Sequence, residues 1–323
     1  MRAALTALTD ELKRLKSTGV TSVAVSTESI AALRKVIAAR AAKSGEGKPE
    51  PITREADAPA PVLAPATPRS FEAPAPVRTQ PAASKPKPEA PRTLPPPPVI
   101  TLPTGDKATR WAWLRDLVLN HPVCLANVRP GKKVVLGVGS LDAKIMFIGE
   151  APGAEEEVRG EPFVGPAGQL LTKMILATGV RREDVYIGNI MNWRPQTPTP
   201  EGMEQVGNRA PTPEEMAFCL PFLRAQIEIV EPELIVALGS TAAQGLLGTG
   251  SFRTLGEVRG QWKQFSGKPV LVTYHPSYLL RQEAAGPVAA RKAKRATWED
   301  LLKVMERAGL TITEKQRGYF LDK

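Results

Sequence analysis

Apolar residues in the second half of this chain fall into four short, nearly unbroken runs: Lys144–Ile148, Val185–Ile190, Leu234–Leu238 and Pro269–Thr273. Between them lie longer stretches with apolar residues every three or four positions, Ala167–Thr178, Pro213–Val230 and Thr241–Leu247. The short runs predict buried strands and the longer stretches predict helices. Strands that alternate with helices pair in parallel. The expected fold is therefore α/β, a three-layer α/β/α sandwich around a central four-stranded parallel sheet, occupying residues 104–323.

The pattern changes upstream. Leu5, Leu8, Leu12 and Leu15 recur at helical spacing, and Ile30, Leu33 and Ile37 mark a second helix that Ser26 or Thr27 would cap. A short strand over residues 20–25 would separate them. Residues 1–43 thus read as a small N-terminal helical segment. It is either a docking module for a protein partner or a weakly structured tail, because so short a piece buries little core. Residues 44–103 hold 17 of the 32 prolines, including Pro95-Pro96-Pro97-Pro98. Such a segment cannot bury enough surface to fold and reads as a disordered, extended Pro/Ala-rich linker.

Charge adds a hint about partners. The net charge is +10, which favours a polyanion such as nucleic acid. Residues 1–103 contribute +6 and residues 104–323 contribute +4, so the folded part is only mildly basic. No apolar run is long enough to cross a bilayer, and the N-terminus has no secretory apolar core. Two cysteines, Cys124 and Cys219, make no disulfide framework. A monomer in a reducing cytoplasm is the simplest expectation.

In parallel α/β sheets, sites lie beyond the carboxyl ends of the strands. After the first run comes Gly149-Glu150-Ala151-Pro152-Gly153, where Gly and Pro allow close backbone approach and hold the turn stiff. It is neither a Walker loop nor a dinucleotide fingerprint. Phe163 follows in Pro162-Phe163-Val164-Gly165 and would be either one wall of a flat pocket or core. Asn189 closes the second run; its carboxamide can donate one hydrogen bond and accept another, matching a pyrimidine edge, or it is a turn residue. Leu238-Gly239-Ser240-Thr241 opens a helix whose amides would hold a phosphate, or the hydroxyl is only a cap. After the fourth run, His275-Pro276-Ser277 begins a loop ending at Arg281, and an imidazole there can stabilise negative charge on a leaving group.

In this order these motifs resemble the uracil-DNA glycosylase superfamily, most nearly its thermophile-type family 4 and a phage DNA polymerase-related branch. The match runs over roughly residues 115–305. It rests on Gly-Glu-Ala-Pro-Gly, on Gly160-x-Pro162-Phe163-Val164-Gly165-x-Ala167-Gly168, on Tyr186-Ile-x-Asn189 with Arg194-Pro195, on Asn208-Arg209-Ala210-Pro211-Thr212-Pro213-Glu214-Glu215, and on His275-Pro276-Ser277-x-Leu279-Leu280-Arg281. The resemblance implies a DNA repair hydrolase. It would flip uracil out of single- or double-stranded DNA and hydrolyse the N-glycosidic bond to leave an abasic site. Carried over by position, Glu150 and His275 would be catalytic. Glu150 would position water and His275 would stabilise the departing uracil anion. Gly149, Ala151, Gly153, Phe163 and Asn189 would bind substrate, Phe163 by stacking and Asn189 at the base edge. Ser277 and Arg281 would contact DNA, and the Leu279-Leu280 region would help hold the opened duplex.

The chain departs from family 4 in its cysteines. That family is expected to hold a 4Fe-4S cluster on four of them. Here Cys219 and Cys124 stand at two of the positions, Trp193 replaces a third, and His121 stands at the last. The expectation drawn from this is no metal and no cofactor, with a three-ligand cluster or a zinc site as the alternative. Residues 196–207 form an insertion lacking the Arg- and His-rich character of the branch that traps DNA covalently. The functional alternative is a catalytically weak, glycosylase-like DNA-binding adaptor in replication or repair. A Gly-x-Ser-x-Gly elbow is missing, which argues against a hydrolase of another kind.

Overall fold

The computed structural model describes residues 94–199 and 203–321. The helices and strand expected within residues 1–43, and the linker as far as residue 93, lie outside the described residues. In chain order the elements are α1 (Lys107–Leu119), α2 (Pro122–Ala126), β1 (Val138–Gly139), β2 (Ile145–Gly149), α3 (Ala154–Arg159) and α4 (Pro166–Ala177). There follow β3 (Tyr186–Asn189), α5 (Pro213–Val230), β4 (Leu234–Leu238), α6 (Gly239–Leu247) and β5 (Trp262–Phe265). The chain continues through β6 (Lys268–Thr273), α7 (Pro276–Ala285), α8 (Pro287–Arg307) and α9 (Glu314–Arg317).

The four apolar runs become β2, β3, β4 and β6, which pair in parallel in the order β3-β2-β4-β6. They are the centre of a six-stranded mixed sheet. β1 adds antiparallel to β3 at one edge, and β5 adds antiparallel to β6 at the other. The sheet expected to have four strands thus gains two short edge strands. The β5–β6 hairpin turns through Ser266 and Gly267, with φ of 49° and 73°. Two left-handed residues in succession are what a tight hairpin needs to match strand twist.

Alternation along the strands divides the interior in two. Met146, Ile148, Tyr186, Ile235, Ala237, Val270 and Val272 face a core built with α1, α5 and α6. Ile145, Phe147, Ile187, Leu234, Val236 and Leu271 face the opposite core, built with α4, α7 and α8. Helices on both faces make the three layers. Leu94, Ile100 and Leu102, from the last residues of the proline-rich stretch, are half-buried against the first core.

Helix starts carry sequence signatures. Thr212 and Glu215 form a reciprocal capping box on α5, with Pro213 in its first turn. His275 caps α7 and Pro276 begins it, so the stretch from His275 to Arg281 is the start of a helix rather than a loop. Among the described residues no helix is long and apolar enough to cross a membrane.

Candidate active site

Parallel register sets Gly149 opposite Asn189 at the carboxyl ends of β2 and β3. Beyond these ends lies a cavity of about 810 Å³. Its walls include Glu150, Ala151, Gly153, Phe163, Asn189, His275, Ser277 and Arg281, residues drawn from loops more than a hundred positions apart. Gly149 stands behind them. A Cβ there would lie 2.5 Å from Asn189 Oδ1 and would press on the Phe163 ring. Glycine at 149 is therefore what lets these two side chains share the space.

Asn189 is 7% exposed, and its Oδ1 has no hydrogen-bond partner among the described residues. An unpaired buried acceptor costs roughly 1–3 kcal/mol. A donor arriving in the cavity would remove that cost.

Phe163 sits at φ 55°, left-handed and strained for a bulky side chain. Three contacts hold it there. Arg182 donates to the carbonyls of Pro162 (3.0 Å) and Phe163 (3.1 Å). Glu156 Oε1 accepts from the amides of Val164 and Gly165, both at 2.9 Å. Gly168 lies so close beneath that any Cβ would overlap the Phe163 carbonyl. Glu156 also accepts from the Gly153 amide through Oε2 at 3.1 Å, joining the Gly149–Gly153 turn to the Pro162–Gly165 turn.

His275 meets Phe163 with ring centroids 5.6 Å apart and planes tilted by 31°. Its Nδ1 accepts from the Ser277 amide at 3.1 Å and lies 2.8 Å from the Ser277 hydroxyl. Nδ1 therefore carries a lone pair, and the neutral ring holds its proton on Nε2. Burial, helped by the Arg281 charge, pushes the His275 pKa down to about 4. Ser277 is occupied with this imidazole and also accepts from Arg281 at 3.2 Å. Leu279 is 2% exposed and packs into the second core, so it is not available to a duplex.

The wall also holds Tyr274 and Tyr278, to which no motif gave a role, and Ser240, Thr241 and Asn208. Tyr274 and Tyr278 stack with centroids 4.5 Å apart, and the Arg259 guanidinium lies 5.1 Å over Tyr274. Ser240 and Thr241 line the cavity, but α6 starts at Gly239 without a side-chain cap. Asn208, just past the insertion, lines it too and accepts from Arg194 Nε at 2.8 Å. Arg194 is itself buried, paired with Glu157 at 2.8 Å, and it donates to the Gln205 and Gly207 carbonyls. It ties the inner end of the insertion to α3. The spacing of Glu156 three residues after Gly153 was the signal for its capping role.

The cluster-related positions lie away from this cavity. Cys124 and Cys219 are fully buried, and burial pushes the Cys124 thiol up to about 12 and the Cys219 thiol well above its usual value. His121 caps α2 through Nδ1 and packs its ring against Phe218 and Phe222. Trp193 is 1% exposed beside Phe218, and its Nε1 has no partner among the described residues.

The uracil DNA glycosylase superfamily model matches residues 136–302. A Type-4 uracil-DNA glycosylase of Thermotoga maritima is 49% identical over 154 residues, 47% of this chain and 73% of the relative. One of Archaeoglobus fulgidus is 44% identical over 152 residues, covering 45% and 71%. A DNA polymerase of Bacillus phage SP01 is 30% identical over 151 residues, covering 46% of this chain and 15% of its own length.

These matches correct the expectation of a protein without a cofactor. That expectation rested on four positions, whereas likeness to Type-4 enzymes extends over some 150 residues, and the resemblance to that type implies a 4Fe-4S cluster. Substitution at two positions does not establish absence. The side chains at hand still do not fit a four-cysteine set: two are thiols, one is an indole, and among the described residues no group of three or more His, Cys, Asp or Glu could hold a metal. No chemical step is derived through a cluster. The matched segment takes in all six strands of the sheet and ends inside α8; by that match and by its Type-4 relatives, the chain belongs to the uracil DNA glycosylase superfamily.

Proposed function

We infer that this protein is a monofunctional uracil-DNA glycosylase that flips uracil from DNA and hydrolyses its N-glycosidic bond. The observation that carries the reading is Asn189 Oδ1, a buried acceptor without a partner, facing the same cavity as Phe163 and His275. The N3–H of uracil would satisfy it. Phe163 stacks on the base, and the backbone around Gly149, Ala151 and Gly153 shapes the site next to the sugar.

The reaction adds water at C1′ of the deoxyribose as the C1′–N1 bond breaks. The bonding pair leaves with uracil as its anion, which later takes a proton, and the sugar keeps the hydroxyl. Glu150 orients the water and offsets positive charge developing at the sugar. Neutral His275 donates from Nε2 to the uracil oxygen that gathers negative charge. Ser277 acts through His275 by fixing its tautomer, and Arg281 at the rim meets a phosphate.

The finer reading is a monomeric repair enzyme of the bacterial cytoplasm that accepts single- or double-stranded DNA. Residues 104–323 serve as the catalytic domain, 44–103 as a linker, and 1–43 as a docking segment for a protein partner. The test is to incubate the pure protein with uracil-containing and matched thymine-containing oligonucleotides and then treat with alkali. Cleavage only at uracil is expected. DNA binding without cleavage would reject the enzyme in favour of an adaptor.

A further inference from the structure

A second cavity, of about 630 Å³, lies at the far end of α3 from the active site. Ala154, at the start of α3, borders the first cavity; Arg159, at its end, borders the second. Five helical rises of about 1.5 Å separate them, about 8 Å in all.

The floor of this cleft is apolar and includes Trp111, whose ring stands edge-on to Tyr186 with centroids 5.7 Å apart. Its rim is basic, with Arg115, Lys132, Lys133 and Arg159 against a single carboxylate, Glu161. Trp111 and Arg115 are four residues apart on α1 and share a helical face.

Not all of these charges serve the fold. Lys132 pairs with Glu204 at 3.0 Å. Lys133 lays its stem over Gly160 and reaches the Arg159 carbonyl at 3.4 Å, where it helps close the carboxyl end of α3. The guanidinium groups of Arg115 and Arg159, in contrast, make no hydrogen bond or ion pair among the described residues. Two unpaired guanidinium groups and an ammonium around an aromatic floor suit a ligand with an anionic backbone and a flat ring. That is a strand of nucleic acid, with phosphates on the cations and a base against the indole.

We propose that this cleft is a second DNA-binding site, which grips the substrate strand close to the flipped nucleotide. The proposal rests on the glycosylase reading only for the identity of the strand. About 8 Å of α3 separates Ala154 on one rim from Arg159 on the other. One strand of a few nucleotides is therefore long enough to reach from the active-site rim to Arg115, Lys133 and Arg159.

The test uses the full chain and the charge-reversal variant R115E/K133E/R159E. All three side chains are exposed, and circular dichroism melting checks the fold. Binding is read by fluorescence anisotropy on a uracil-free single-stranded 30-mer, and excision is read on a short oligonucleotide of about six nucleotides with a central uracil. The expected result is at least a tenfold loss of 30-mer affinity. The slope of log affinity against log salt should shrink by about 2, as loss of three phosphate contacts at ~0.7 each requires. The rate constant for excision from bound short substrate should stay within twofold. The conservative variant R115K/K133R/R159K should bind like the native protein. Unchanged affinity and salt slope in a folded charge-reversal variant would overturn the proposal. So would an equal loss in the conservative variant, which would mark a packing defect. Failure of the native protein to excise uracil would refute the glycosylase reading, while the anisotropy result would still decide the cleft.

Discussion

Asn189 Oδ1 and Trp193 Nε1, only four residues apart, are both buried without a hydrogen-bond partner among the described residues. One is an acceptor on the wall of a cavity. The other is a donor packed among aromatic rings in the first core. The same physical cost therefore has two meanings. At Asn189 a substrate can relieve it, so the cost raises selectivity for a ligand with a matching donor. At Trp193 the indole lies among the side chains of a packed core, and what it supplies is volume where the family pattern has a cysteine.

Removing Asn189 gives the sharpest test of that contrast. Asn189→Ala is expected to slow single-turnover uracil release by about 10²–10³-fold. Its melting temperature should hold or rise, because an unpaired acceptor has gone. Release at the native rate would break the comparison at its more important half.

The acid limb of activity is an intermediate effect. The folded His275 takes up its proton near pH 4, whereas an unfolded histidine does so near its ordinary value of 6.5. Its contribution to stability is therefore full above 6.5, falls as pH drops from 6.5 to about 4, and changes no further below that. Protonation also fills Nδ1 and ends its acceptor bond from Ser277. The rate should show no titration of this group at 6.5 and should fall as pH passes through about 4. A pH–rate profile with an inflection at 6.5 would refute the neutral-donor role.

The smallest effect belongs to Trp193. Trp193→Phe removes the orphan donor, which relieves about 1–3 kcal/mol, and leaves a void that costs a similar amount. Net stability by denaturant titration should move by less than about 2 kcal/mol, and excision should be unaltered. A large loss of excision would tie the core position to the active site and erase the distinction drawn above.

Much of this architecture could be read from the chain. The central strands and the helices between them follow from apolar runs and helical spacing, and they match their expected bounds to within one or two residues. The edges were harder. β1 has two residues, too few for any period, and β5 is half-exposed, so Trp262-Lys263-Gln264-Phe265 lacks the continuous apolar signal of a buried strand. The Ser266-Gly267 turn was the available cue. At α7 the place of His275-Pro276-Ser277 after a strand suggests a loop, yet Pro after a capping side chain is also how helices begin. At the site, single residues were visible but their connections were not. The clamp of Glu156 on three amides and the hold of Ser277 on His275 depend on how the backbone folds back on itself.

The left-handed Phe163 has a consequence for substrate affinity. Because Arg182, Glu156 and Gly168 fix that residue in the folded chain, the stacking wall is pre-organised and an arriving base need not order it. Affinity for the flipped nucleotide is thereby linked to local stability of the Pro162–Gly165 turn. Whatever loosens that turn, whether heat, denaturant or loss of the Arg182 guanidinium, should weaken substrate capture before it reaches the bond-breaking step.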